Sequence, residues 1–147
     1  MKKKLLVSAC LLGLGCRYDG KEVGSVDLSP LYEKYDLIPV CPEIYGGLPT
    51  PRTPSERVGD RVLMRGGADV TAEFSRGAEY TLKICEAVGA ELALLKEKSP
   101  SCGCGVIYDG SFTGALVPGL GVTAERLISA GISVFGESEI EKLLSRD

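Results

Sequence analysis

The sequence predicts an α/β protein built around a mostly parallel sheet. Short, continuous apolar runs, typical of strands buried on both faces, alternate with segments whose apolar residues recur every three or four positions. This alternation indicates β–α–β units with right-handed crossovers, and therefore a Rossmann-like sheet flanked by helices. The predicted strands are 4–9, 37–41, 92–96 and 132–135.

Helical periodicity is strongest over 71–88, where apolar side chains recur from Phe74 onward. Thr71 is predicted to be the N-cap of this helix, and Gly89 to end it. Weaker patterns predict three shorter helices, over 27–35, 123–130 and 137–145.

Two segments interrupt the alternation of strands and helices. Residues 46–67 are rich in Gly, Pro and Arg and are predicted to form a long functional loop. Residues 106–117 carry Tyr-Asp-Gly-Ser between two strand-like runs, which predicts a hairpin insertion. Since no repeat or linker is evident, residues 1–147 are expected to form a single domain.

Composition excludes several classes of function. With 17 Lys and Arg against 20 Asp and Glu, the net charge of -3 argues against binding long nucleic acid. The chain has no histidine, which rules out Ser–His–Asp triads and every His-ligated metal site. The apolar run before Cys10 is too short for a signal peptide, and none could span a bilayer, so a cytoplasmic protein without a membrane partner is expected.

Three of the six cysteines follow predicted strands. Cys10 comes directly after the first strand, Cys41 ends the second, and Cys102 follows the third by a short Ser-Pro-Ser linker. The carboxyl ends of parallel strands meet at one edge of a sheet, where ligands bind. We therefore expect these thiols to converge, and soft thiolates favour zinc or iron–sulfur clusters.

Other roles for the cysteines remain open at this point. A free cysteine is often a small buried hydrophobe, and Cys85, on the apolar face of the long helix, fits that description. Cys102 and Cys104 could form a redox pair, although such pairs usually have two residues between the cysteines. An all-thiolate zinc site is a further alternative.

Several motifs together resemble those of the thiouracil desulfidase family, in order from about residue 4 to residue 135, which is nearly the whole chain. They are Ser-Ala-Cys-Leu-Leu-Gly at 8–13, Cys-Arg-Tyr-Asp-Gly at 16–20, Pro-Val-Cys-Pro-Glu at 39–43, Gly-Gly-Leu-Pro-Thr-Pro-Arg at 46–52, Lys-Ser-Pro-Ser-Cys-Gly at 98–103, Tyr-Asp-Gly-Ser-Phe-Thr-Gly at 108–114 and Gly-Val-Thr-Ala at 121–124.

The resemblance implies a 4Fe–4S cluster held by Cys10, Cys41 and Cys102, with one iron left open for the substrate sulfur. Cys16 also lies in a family motif, so it is an alternative ligand. The implied reaction converts a thiolated uracil, either as 2-thiouracil or as 4-thiouridine monophosphate, to the oxo form and releases sulfide. The implied partner is thus a small thiolated pyrimidine base or nucleotide, bound by a monomer or a homodimer.

Candidate catalytic residues follow from the lack of histidine. Glu43 is the candidate base, because it lies two residues after Cys41 and in an extended chain would point to the same side. Ser101, next to Cys102, is the candidate for positioning water or relaying a proton.

Candidate substrate contacts come from the loops expected above the sheet edge. Arg17 and Arg52 suit phosphate, the backbone around Gly103 could offer amide donors, and Tyr45 could stack on a pyrimidine. Arg57 and Arg61 lie in the same region but are expected to be solvated. Two other functions remain as alternatives: a non-catalytic zinc or cluster-binding module, and a nucleotide-binding regulatory domain.

Overall fold

A parallel sheet of four strands forms the centre of the molecule. The structure is a computed structural model, which describes residues 2–13, 19 and 26–146. The strands are β1 (Lys3–Ser8), β2 (Tyr35–Val40), β5 (Leu92–Leu95) and β8 (Ser133–Gly136). They lie in the order β2-β1-β5-β8, and each neighbouring pair is parallel. All four predicted strands are therefore confirmed, within about two residues at their ends.

Helices cover both faces of this sheet. Alternate side chains of β1 point to opposite faces: Leu5 packs with Leu31 and Leu143, whereas Leu6 packs with Leu82 and Leu127. The first set comes from α1 (Ser29–Tyr32) and α5 (Ile140–Leu144), the second from α3 (Thr71–Val88) and α4 (Val122–Ser129). Two apolar layers thus enclose the sheet, and the predicted α/β architecture is confirmed.

Two of the shorter helices have different ends from those that the sequence pattern predicts. The helix predicted over 27–35 stops at Tyr32, because Tyr35 opens β2, opposite Lys3. The Tyr35 hydroxyl donates to the Leu143 carbonyl at 2.7 Å. The helix predicted over 137–145 begins as a 3-10 turn, Glu137–Glu139, before α5.

The long helix α3 begins and ends at the predicted residues, with Gly89 in the left-handed conformation as its stop. The prediction that Thr71 is the N-cap was wrong, because the N-cap position is Val70. Thr71 is the first helical residue, and it is Asp69 whose carboxylate accepts the Thr71 N–H at 2.9 Å. A carboxylate beside the free N–H groups of a helix start is favourable, and Asp69 serves this one.

The predicted loop 46–67 contains regular structure. After α2 (Pro42–Tyr45), the strands β3 (Ser55–Val58) and β4 (Arg61–Met64) pair antiparallel across a tight turn at Gly59. A second antiparallel pair joins β6 (Cys104–Tyr108) to β7 (Leu116–Leu120). In the described part of the chain no helix has the length and apolar character needed to cross a bilayer.

Candidate functional site

A cavity of about 520 Å³ opens at the carboxyl ends of β1, β2 and β5. Its wall includes Cys10, Cys41 and Cys102. Cys10 lies in the 3-10 turn Ala9–Leu12 after β1, Cys41 is the extended residue that caps α2, and Cys102 lies in the turn after β5. Three thiols distant in sequence therefore share one pocket, because parallel strands deliver their following loops to the same edge.

Cys102 is the most enclosed of the three, with 3% of its surface exposed. Its backbone N–H donates to the Ser99 hydroxyl at 3.0 Å, which fixes the turn. Burial raises the pKa of the Cys102 thiol, and the negative charge of Glu43 adds to this rise. Hydrogen bonds with the hydroxyls of Ser8 and Ser101 act in the opposite direction, since they stabilise the thiolate.

The remaining described cysteines lie elsewhere. Cys85 lies on the buried face of α3, and its thiol donates to the Ala90 carbonyl at 3.1 Å, which is the structural role expected for it. Cys104 does not belong to the cavity wall. Burial, together with nearby Glu139, Glu97 and Glu137, raises the pKa of Cys104 to about 11. No described cysteine forms a disulfide, and Cys16 lies outside the described residues.

Glu43 lines the cavity, but in a backbone conformation that differs from the predicted one. It is not extended: it sits in the first turn of α2, directly after Cys41 and Pro42. Its carboxylate accepts a hydrogen bond from the guanidinium of Arg52 at 3.2 Å. The pair is enclosed, with side-chain exposures of 17% for Glu43 and 5% for Arg52.

Arg52 is therefore placed differently from a free phosphate ligand. Besides Glu43, its guanidinium donates to the Pro49 carbonyl and to the Thr50 hydroxyl, each at 3.1 Å. It does line the cavity, but these contacts fix it as the partner of the carboxylate. The phosphate role of Arg52 stays a prediction, and these three hydrogen bonds already commit part of its guanidinium to the chain itself.

Three other predicted site residues lie off the cavity wall. Ser101 is fully buried and pairs with the Thr123 hydroxyl at 2.9 Å, which ties the Cys102 turn to α4. Tyr45 packs against the apolar layer under α3. The Gly103 N–H already donates to the Ser99 carbonyl at 2.9 Å, so it is not an open anion donor.

The predicted arginines of the loops also differ from one another. Arg17 lies outside the described residues. The side chain of Arg57 is mostly buried, contrary to the expectation that it is solvated. It donates to the Leu120 carbonyl of β7 at 2.8 Å and contacts Glu125 of α4 at 3.2 Å, which joins β3 to β7 and α4. Arg61 is exposed and paired with Asp69.

Several cavity residues were missed by the sequence analysis. Arg65 follows β4, Phe112 lies between β6 and β7, and Lys98 precedes the cysteine turn; all three line the cavity. Lys98 and Phe112 adopt left-handed backbone angles, with φ of 68° and 58°. Non-glycine residues rarely do so, and such strain clusters at functional sites. The family motifs 98–103 and 108–114 were the available signal for two of them.

The donor set on the cavity wall, three cysteine thiols in a chain without histidine, has the chemistry that iron–sulfur clusters use. Among residues 2–13, 19 and 26–146, no three Cys, Asp or Glu side chains stand close enough to hold one metal ion. An iron–sulfur cluster distributes its cysteines over separate iron atoms, whereas a structural zinc gathers four donors around one point. The described residues therefore give no support to the zinc alternative.

Known proteins resemble this chain over almost its whole length. A family model described as 2-thiouracil desulfurase matches residues 5–139. The protein YbbK of Bacillus subtilis (strain 168), named as uncharacterized, is 39% identical over 150 residues, which cover 95% of this chain and 99% of YbbK. The solved structure of TudS, a 4Fe–4S-dependent thiouracil desulfidase, matches with a TM-score of 0.92 and 51% identity, over 97% of this chain and 95% of that one.

Proposed function

We propose that this chain, which belongs to the 2-thiouracil desulfurase family, is a 4Fe–4S-dependent desulfidase that replaces the sulfur of a thiolated pyrimidine by oxygen. The observation that carries the proposal is that Cys10, Cys41 and Cys102 all lie on the wall of one cavity. The close likeness to the desulfidase TudS supports it, at 51% identity.

The three cysteines would hold the cluster. When bound, such a cluster supplies a Lewis-acidic iron for the thiocarbonyl sulfur and a site for the departing sulfide. Around it, the chain keeps Cys102 ordered through Ser99 and offers the hydroxyls of Ser8 and Ser101 to its sulfur. Hydrogen bonds of this kind tune a thiolate ligand. Ser101 thus acts in this proposal by positioning Cys102.

Glu43 is proposed as the base, with Arg52 as its positioning partner. The carboxylate takes a proton from water, whose oxygen adds to the thiocarbonyl carbon; the C–S bond then breaks. One thiocarbonyl and one water give one carbonyl and one hydrogen sulfide, so no oxidant or reductant is consumed. The ion pair at 3.2 Å holds the Glu43 carboxylate in a fixed direction inside the cavity.

A nucleotide is the proposed form of the substrate. Arg65 and Lys98 line the cavity and form no ion pair with any described residue. Unpaired cations on a cavity wall suit a phosphate group, and Tyr108 and Phe112 provide aromatic surface for a ring. This arrangement favours 4-thiouridine monophosphate over free 2-thiouracil.

The test is anaerobic reconstitution followed by a sulfide assay. Cluster-loaded protein should be brown and should release sulfide from 4-thiouridine monophosphate with a higher kcat/KM than from 2-thiouracil. Cys10→Ser, Cys41→Ser and Cys102→Ser should each lose the visible absorbance and the activity. Cys104→Ser is the matched control, because Cys104 lies off the cavity wall, and it should keep both.

Two outcomes would replace the proposal by an alternative. A brown protein without sulfide release would point to a cluster-carrying module, with Cys16 or Cys104 completing the ligand set. A colourless protein that still binds uridine monophosphate would point to a nucleotide-binding regulatory domain.

A further inference from the structure

We propose that Glu56, a buried carboxylate of β3, is a positioning residue that fixes Phe112 and through its ring Arg65 on the cavity wall, where this pair recognises the anionic end of the substrate. The inference rests on the proposed function and deepens it. It also gives the β3–β4 hairpin, which the sequence did not predict, a part in substrate selection.

Glu56 is directed away from solvent and toward the loop between β6 and β7. It is 8% exposed, and one carboxylate oxygen, Oε1, accepts the N–H of Gly110 at 2.9 Å and that of Phe112 at 3.1 Å. No described cation pairs with it. Burying a carboxylate costs free energy unless it is hydrogen-bonded, so these two amides are its compensation.

The loop held by Glu56 has a conformation that needs support. Phe112 has φ of 58°, a left-handed angle that an aromatic residue rarely adopts. Gly110 fits so closely against the hairpin that a Cβ there would lie 2.3 Å from a methyl carbon of Val58. Without the Glu56 acceptor, the Phe112 backbone would be expected to relax toward ordinary angles and carry its ring away from the wall.

Phe112 in turn supports Arg65. The Arg65 guanidinium lies 5.4 Å from the centroid of the Phe112 ring, within the range of a cation–π contact. Both side chains line the cavity that holds the three cysteines. The Arg65 backbone is fixed independently, because its N–H donates to the Pro54 carbonyl at 2.9 Å. The ring therefore decides where the charged end of Arg65 points, rather than where its backbone lies.

Glu56 lines the same cavity as the reacting centre, but its hydrogen bonds are made to the loop between β6 and β7. Glu43 and Arg52 form their own ion pair at 3.2 Å, and Glu56 shares no hydrogen bond or ion pair with either. Loss of Glu56 should consequently change binding of the phosphate end and leave the chemistry at the thiocarbonyl unchanged. A split between KM and kcat is the expected signature.

The experiment titrates uridine monophosphate and uracil into cluster-loaded protein by calorimetry. Glu56→Ala should weaken uridine monophosphate binding about 10-fold, while uracil binding changes less than about twofold. Glu56→Gln keeps an acceptor oxygen and should restore affinity to within about threefold of wild type. With 4-thiouridine monophosphate, Glu56→Ala should raise KM about 10-fold at nearly unchanged kcat. Asp60→Asn, an exposed change in the same hairpin turn, is the matched control.

A double-mutant cycle separates positioning from general stability. In an Arg65→Gln background, Glu56→Ala should cost uridine monophosphate affinity less than about twofold, because the residue it positions is gone. If Glu56→Ala does not fold, Glu56→Asp replaces it throughout, since its shorter side chain keeps the charge but withdraws the acceptor.

Three results would overturn the proposal: wild-type affinity for uridine monophosphate in the truncated variant, no rescue by Glu56→Gln, or additive losses in the cycle. These binding measurements do not depend on turnover. Protein that releases no sulfide from any thiolated pyrimidine would therefore refute the proposed function, while the calorimetry would still decide the role of Glu56.

Discussion

Glu43 is the residue on which the proposed chemistry depends most directly. Glu43→Gln keeps the shape of the side chain and a hydrogen-bond acceptor for Arg52, but removes the basic carboxylate. General-base catalysis contributes on the order of 100-fold or more, so kcat for sulfide release should fall by at least about that factor. The visible absorbance of the cluster should be unchanged, because Glu43 is not among the proposed ligands.

The control for this variant is Glu33→Gln, an exposed glutamate after α1. It should keep wild-type kcat and absorbance. A Glu43→Gln enzyme that turns over at the wild-type rate with a full cluster would remove Glu43 from the mechanism. Loss of both absorbance and activity would instead give it a role in holding the cluster.

For individual side chains, the sequence predicted the site correctly where the position of a residue along the chain determines its place in the fold. The thiols of Cys10, Cys41 and Cys102 share a cavity because each lies just beyond a parallel strand, which a linear pattern reveals. The contacts of Tyr45 and Arg52 were harder to predict. Tyr45 and Glu43, the partner of Arg52, both lie in α2, a helix of four residues that no periodicity marks. Arginine in a cavity loop can bind a phosphate or a neighbouring carboxylate, and only the fold distinguishes the two.

At the element scale, burial determined which strands could be predicted. β5 is buried at every position and forms a continuous apolar run, Leu-Ala-Leu-Leu. The hairpin strand β3 has the sequence Ser-Glu-Arg-Val and was not predicted, because its one buried residue, Glu56, is charged. A buried carboxylate breaks the apolar alternation by which a half-buried strand is recognised.

The contact between α2 and α3 places Cys41 and Glu43, and it depends on two glycines. A Cβ at Gly77 of α3 would lie 2.0 Å from the Pro42 carbonyl oxygen, and one at Gly46 would lie 2.0 Å from the Glu73 carbonyl oxygen. Both obstacles are backbone atoms, so the helices could only accommodate a side chain by moving apart. These glycines let the two helices approach closely enough to bring Glu43 to the cavity.

Gly77→Ala tests this contact. Alanine favours a helix interior by about 1 kcal/mol over glycine, so the substitution would stabilise α3 if the contact did not matter. We expect the opposite, a loss of about 1–3 kcal/mol in the free energy of unfolding, as for other overpacked positions. Displacement of Cys41 should also lower the amount of cluster bound per chain after reconstitution.

Urea unfolding and visible absorbance measure the two effects of Gly77→Ala. Ser75→Ala, on the exposed face of the same helix, is the control and should leave both measurements near wild type. A Gly77→Ala protein more stable than wild type would show that α2 and α3 do not need this close approach.

At the scale of the whole molecule, charge sets the expected dependence of stability on pH. Among the described residues, five carboxylates have pKa values below their ordinary range because they accept hydrogen bonds in the folded state: Asp27, Asp36, Asp69, Asp109 and Glu139. The main donors are, in the same order, Ser29, Lys4, Thr71, Ser111 and Lys142. A lowered folded pKa means that the unfolded chain binds protons first as the pH falls. Each group therefore adds stability above its unfolded pKa, which is lost on acidification.

The urea midpoint of cluster-free protein should accordingly be level from about pH 5.5 to 8, where no histidine titrates, and should fall below about pH 5. Asp69→Asn isolates one contribution, because the amide oxygen can still accept the Thr71 N–H although the group no longer titrates. Its midpoint should fall less steeply between pH 5 and 2 than that of wild type, whereas Asp60→Asn should follow the wild-type curve. A wild-type midpoint that stays constant down to pH 2, or shifts between pH 5.5 and 8, would contradict this account of the charges.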